Sequence, residues 1–165
     1  MAHSNFSDDL YREQILELYK NPQNFGTLKN PTNENTEHNS ICGDEITVQL
    51  IINKDAVKDI RFHGSGCVMS MVSASLLTEK IKGMKIEDIK KLNKDDILKL
   101  LKIKLNPGRV KCALLPLDSI KNSELFEYLE NNVLNKNKSF YLNVIEECCR
   151  IKSQIVEEDE KEGEF

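Results

Sequence analysis

Apolar residues recur along this chain with two periods. Tyr11, Ile15, Leu18 and Tyr19 follow the i, i+4, i+7, i+8 spacing of an amphipathic helix over residues 8–20. Pro22, Gly26 and Pro31 in "NPQNFGTLKNP" end it, and the polar residues 30–41 are expected to form a loop or an irregular edge strand. The period then changes to two. Ile46, Val48, Leu50 and Ile52 alternate with Thr47, Gln49 and Ile51, "NKD" at 53–55 reads as a hairpin turn, and "AVKDIRFH" returns with Ile60 and Phe62 on one face. After "GSG" the helical period resumes. Val68, Met71, Val72, Ser75 and Leu76 share one face of a helix running to about Ile81, which Gly83 closes.

Ile86, Ile89 and Leu92, then Ile97, Leu100 and Leu101, predict one or two short helices within 86–104. "NPGRVKC" reads as a connection into a helix from about Ala113 to Asn131, with Pro116 tolerated in its first turn. Residues 132–138 read as a short linker, 139–156 as a last helix, and "EEDEKEGEF" as an acidic tail. There is no internal repeat.

Composition narrows the class. At 165 residues the chain can bury a core without disulfide staples. Its 39% hydrophobic and 30% charged content is that of an ordinary globular domain, without tryptophan. A net charge of -4 argues against generic nucleic-acid binding. No apolar run approaches bilayer length, and the amino-terminal residues lack the basic-then-apolar order of a signal peptide. A cytoplasmic protein with five reduced cysteines is expected, since an odd, irregularly spaced set does not make a disulfide framework. Nine lysines between Lys80 and Lys104 read as a solvated helix face.

Three cysteines occupy special backbone places: Cys42 just before a strand, Cys67 between a glycine turn and a helix, and Cys112 at a loop-to-helix junction. A thiol at a helix N-terminus feels the positive end of the dipole, which favours the thiolate. Gly43, Gly64 and Gly66 allow sharp turns and close approach. In an extended stretch Cys42 and Asp44 would project to one side. With Cys67 and Cys112 they make three sulfurs and one oxygen, a set suited to zinc or iron. Spacing alone favours buried or idle thiols, because none of these cysteines forms a CxxC. Lys111 could lower the thiol pKa or pair with Asp44, or simply face solvent. His63 reads as a partly buried or surface histidine, and His3 and His38 carry no role. Cys148 and Cys149 are adjacent in a predicted helix and poorly suited to sharing one site.

"YKNPQNFGTL", "CGDEITVQL", "FHGSGCVMSMVSASLLTEKIKG" and "GRVKCALL", in this order, resemble the U-type iron–sulfur cluster assembly scaffolds: IscU, SufU and the amino-terminal domain of NifU. The resemblance spans roughly residues 10–120. It implies an α+β fold, a small antiparallel sheet of about three strands with helices on one face, and a metal or cluster site at an exposed end. Residues 1–131 would be the scaffold domain and 132–165 a helical extension with an acidic tail. Cys42, Cys67 and Cys112 match the family's three cysteines and Asp44 its aspartate. The implied protein is a carrier rather than an enzyme. It would take persulfide sulfur from a cysteine desulfurase, on Cys42, Cys67 or Cys112, take iron, build a transient [2Fe-2S] cluster and pass it to apo acceptor proteins.

The alternative within the family is a zinc-dependent sulfur acceptor that stimulates the desulfurase. The two branches are mixed here. Lys111 replaces the histidine of many IscU-type chains, as in the SufU type, yet the Cys67–Cys112 segment is too short for the insertion typical of SufU. The Leu-Pro-Pro-Val-Lys stretch that recruits an Hsp70-type chaperone is only loosely matched by "LNPGRVK". No nucleic acid or membrane partner is expected, and the protein is expected to be a monomer or weak homo-oligomer.

Overall fold

The computed structural model describes residues 6–123. Among them are α1 (Phe6–Lys20), β1 (Asn33–Asn39), β2 (Asp44–Asn53), β3 (Ala56–Ser65), α2 (Val68–Ile81), α3 (Ile86–Lys91), α4 (Lys94–Leu101) and α5 (Pro107–Lys121). The expected domain boundary after 131, linker 132–138, helix 139–156, acidic tail, Cys148, Cys149 and His3 lie outside the described residues.

The strands form an antiparallel sheet in the order β1-β2-β3, so the polar segment before Ser40 is an edge strand. Ile46, Val48 and Leu50 of β2, with Ile60 and Phe62 of β3, are at most 1% exposed, as the two-residue period requires. α2 and α5 contact the sheet. Thr47 and Gln49, on the alternate face of β2, are also buried. The segment after α1 accounts for part of this. It bonds to β3 through Gly26 N–H to the Phe62 carbonyl (2.8 Å) and Phe62 N–H to the Asn24 carbonyl (3.0 Å), donates from Leu28 N–H to Gln49 Oε1 (2.7 Å), and reaches the Leu50 carbonyl at Thr32. It thereby pairs the outer edge of β3 at Phe62, and Phe25 meets Phe62 edge-on with ring centroids 5.4 Å apart.

α2 departs from the expected single stripe. Met69 to Ser75, Leu77, Thr78 and Ile81 are buried, whereas Val68 and Leu76 are partly exposed. The helix runs through the middle of the domain, touching α1, α4, α5 and the sheet. Its serines and threonine are satisfied there: Ser73 donates to the Ala113 carbonyl (2.6 Å), Ser75 accepts from Gln23 N–H (2.8 Å), and Thr78 donates to the Ala74 carbonyl (2.8 Å). The stripe on α1 is narrower than expected, with Ile15 buried and Tyr19 39% exposed.

α5 is the main correction. It begins at Pro107, six residues earlier than expected, because Asn106 caps it by accepting from Arg109 N–H (2.9 Å) and Pro107 supplies a first helical residue needing no donor. "NPGRVKC" is thus a cap and first turns, not a connection. Pro116 consequently lies inside the helix rather than in its first turn. Its ring removes the N–H that would bond to the Cys112 carbonyl.

Candidate metal centre

The site grows from the β1–β2 hairpin. Asn39 pairs with Asp44 across the hairpin, and its backbone carbonyl accepts from Cys42 N–H (3.2 Å) and Gly43 N–H (2.8 Å). Gly43 has φ +70°, a left-handed value that side chains disfavour. Cys42 and Asp44 therefore approach one another through a turn, not through the pleat alternation of an extended stretch. Cys42 is exposed on that turn beside Ile41, itself 71% exposed, while Asp44 opens β2 and is 2% exposed.

Because β3 runs antiparallel to β2, Ser65 lies opposite Glu45, and the chain enters α2 next to Asp44. Cys67 is the N-cap residue of α2, the predicted place, and its backbone N–H donates to Asp44 Oδ1 (2.9 Å). Gly66 makes this approach possible. A Cβ there would lie 3.2 Å from both Cβ and Cγ of Asp44 and would collide with the Ser70 hydroxyl. Ser70 is fully buried, donates to the Cys67 carbonyl (2.9 Å), and has its Oγ 3.8 Å from Cys67 Sγ.

Cys112 arrives from α5, well inside the helix, so the helix-terminus argument holds for Cys67 and not for Cys112. Its side chain is fully buried, with Sγ 3.2 Å from Cys42 Sγ. Ligand atoms of Cys42, Asp44 and Cys112 all lie within 4.8 Å of one another. Cys67 Sγ stands outside that tight set, yet Cys67 is among the neighbours that raise the Cys112 thiol. Burial first, then the hydrogen bond with Cys42 and the closeness of Asp44 and Cys67, push the Cys112 thiol well above the ordinary thiol range. One further atom stands out: Asp44 Oδ2 is buried and has no hydrogen-bond partner.

Lys111 is exposed on α5 and forms no ion pair with buried Asp44. His63 is half-buried in β3 opposite Thr47, and exposed His38 pairs with Glu45 (3.4 Å), both away from a ligand role. Two residues at the site escaped the sequence reading. Ser70 was visible only as part of a helix. Asn39 donates its side-chain amide to Cys112 Sγ (3.2 Å); its signal was an Asn three residues before Cys42, a usual opening for a turn.

Three sulfurs and one carboxylate oxygen, the latter buried without a donor, suit a tetrahedral thiophilic cation or an iron–sulfur unit. An orphaned buried acceptor is costly unless something positive meets it. The NifU-like N-terminal domain profile matches residues 10–134, a span holding all four of these residues.

The chain belongs to the NifU-like N-terminal domain family.

Among its relatives, the zinc-dependent sulfurtransferase SufU of Bacillus subtilis is 37% identical over 125 residues, covering 66% of this chain and 84% of its own. The iron–sulfur cluster assembly scaffold protein IscU of Thermotoga maritima is 35% identical over 131 residues, covering 69% of this chain and 92% of its own. A crystal structure of a candidate scaffold for the SUF system from Fervidobacterium islandicum superposes with a TM-score of 0.58 at 27% identity, over 70% of this chain and 96% of that one. An amino-terminal NifU-like protein from Brucella abortus, at 22% identity, shares the fold with a TM-score of 0.57 over 72% of this chain and 94% of its own. The family's α+β architecture is the one seen here. Between Cys67 and Cys112 this member carries only α2, the short α3 and α4, and the start of α5. No helix among the described residues is long and apolar enough to cross a membrane.

Proposed function

We propose that this protein is an iron–sulfur cluster assembly scaffold whose site is Cys42, Asp44, Cys67 and Cys112. The observation that carries the reading is the Asp44 carboxylate. One oxygen is held by Cys67 N–H, and the other is buried, unpartnered and beside the thiols of Cys42 and Cys112. The cluster is cargo, so the site must form and release it. A mixed sulfur–oxygen set with one exposed corner at Cys42 serves release better than four buried thiolates. Sulfur would come from a cysteine desulfurase. A thiolate of the site attacks the terminal sulfur of the enzyme's persulfide, a new S–S bond forms, and the enzyme's cysteine leaves as thiolate. Exposure orders the acceptors, with Cys42 open, Cys67 half-buried and Cys112 buried. An external electron donor, a thiol or a reduced electron carrier, would take the transferred sulfur to sulfide, and the finished [2Fe-2S] cluster would then pass to apo acceptor proteins.

A second reading has its own support in the likeness to the zinc-dependent sulfurtransferase SufU and in Lys111 before the third cysteine. There the same four residues would hold Zn²⁺, which keeps the thiols deprotonated, and the protein would act as a sulfur acceptor. One experiment separates the two. The protein is purified anaerobically, its zinc and iron are measured, and a desulfurase, cysteine, ferrous iron and a dithiol reductant are added while visible absorbance is followed. A cluster spectrum that transfers to an apo-ferredoxin supports the scaffold. Retained zinc, no cluster and accelerated desulfurase turnover support the acceptor, and neither response overturns both.

A further inference from the structure

Asn39 touches three of the four site residues. It pairs with Asp44 across the hairpin, its carbonyl accepts from Cys42 N–H, and its side-chain amide lies 3.2 Å from Cys112 Sγ, 73 residues away in sequence. The orientation of the amide follows from its surroundings. Asn39 Oδ1 accepts from Ile41 N–H (3.3 Å), a group that can only donate, which leaves the NH₂ facing the sulfur. Asn39 is 8% exposed, so water has little access to compete for this contact. From this geometry we infer that Asn39 is a positioning residue of the metal site, one whose N–H···S bond sets both the place and the electron density of the Cys112 sulfur toward a bound thiophilic cation.

The inference rests on the site assigned above and adds a role to a residue outside the ligand set. Its chemistry is that of an outer-shell donor. An N–H directed at a thiolate stabilises the sulfur lone pairs, reduces their donation to a metal, and holds the sulfur on one line. The same residue shapes the turn that carries Cys42, so hairpin and helix α5 are joined at the point where the two thiols meet. A purely structural turn residue would need the Oδ1 bond to Ile41 but not the contact with Cys112.

The test uses the full chain and Co²⁺ alone as a spectroscopic probe, with Zn²⁺ affinity read by competition against a chelator. Asn39→Asp keeps an acceptor for Ile41 N–H and removes the donor to sulfur, while Asn39→Ala removes both. Each should shift the thiolate-to-cobalt charge-transfer absorption to lower energy, and Asn39→Ala, which adds no charge, should weaken Zn²⁺ binding by on the order of ten-fold because the sulfur is no longer held in place. Should Asn39→Ala fail to fold, as judged by circular dichroism, Asn39→Asp decides the matter. Wild-type band energies in the folded variants, with or without lower occupancy, overturn the role of Asn39 and leave the metal site standing. A wild-type protein that gives no thiolate–cobalt band overturns the site assignment and this inference together.

Discussion

Asp44→Asn separates the structural from the binding role of the carboxylate, because the two should change in opposite directions. Asparagine retains an oxygen for Cys67 N–H, now as a neutral acceptor, and presents an NH₂ where Oδ2 is buried without a partner. Exchanging a charge-assisted bond for a neutral one loses about 1 kcal/mol, and removing a buried, half-satisfied carboxylate recovers about 1–3 kcal/mol. The apoprotein should therefore gain about 1 kcal/mol, a rise of about 2–4 °C in Tm for a domain near this size. Zinc binding should lose an anionic ligand. Outer-shell changes alone cost about 10–100-fold, so a drop of at least about 100-fold is expected. At fixed excess zinc, that removes about 2.8 kcal/mol of ligand-linked stabilisation. Thermal melts with a chelator and with excess Zn²⁺ read both quantities on one sample. A lower apo Tm combined with an undiminished zinc-induced rise would refute the reasoning and make Asp44 a structural residue.

Cys42→Ser, Cys67→Ser and Cys112→Ser should each abolish zinc or cluster loading in metal analysis, with Cys148→Ser loading normally; the reverse pattern would move the site. Gly66→Ala should cost about 1–3 kcal/mol in chemical denaturation, since its methyl meets the buried Ser70 hydroxyl and presses on Asp44, and it should also weaken zinc binding. Pro116→Ala restores an N–H for the Cys112 carbonyl, worth up to about 3 kcal/mol, against about 1.6 kcal/mol for two buried methylenes lost. A net gain of about 1 kcal/mol should appear in the same denaturation assay, and a loss would show that the ring's packing dominates. Burial holds the Cys112 thiol protonated beyond the usual range, so metal binding must expel its proton. Apparent Zn²⁺ affinity should then rise with pH by about ten-fold per unit for each proton released, and a flat profile between pH 6.5 and 7.5 would contradict this.

Local pattern was enough for much of the fold. The 3.6-residue period marks α1 and α2, the two-residue period marks β2 and β3, and Cys67 falls at the helix start where the glycine turn puts it, because these features depend on neighbours a few residues apart. The family motifs, read from the chain alone, already grouped Cys42, Asp44, Cys67 and Cys112. Other features depended on partners distant in sequence or on competing local signals. Asn-Pro before Gly108 reads equally as a loop or as a cap with its first helical residue, and the structure makes it the latter, placing Cys112 inside α5. The apolar stripe of α2 could not show that its serines would also be buried, since that burial comes from α1, α5 and the sheet packing around it. Nor could spacing reveal that the Asn39 amide meets Cys112, or that one oxygen of Asp44 is left buried without a partner. The sequence by itself determined most of the elements and which side chains are candidates for the chemistry. Tertiary packing alone decided which of those atoms lie in contact, which are closed off from water, and which are left with an unmet bond.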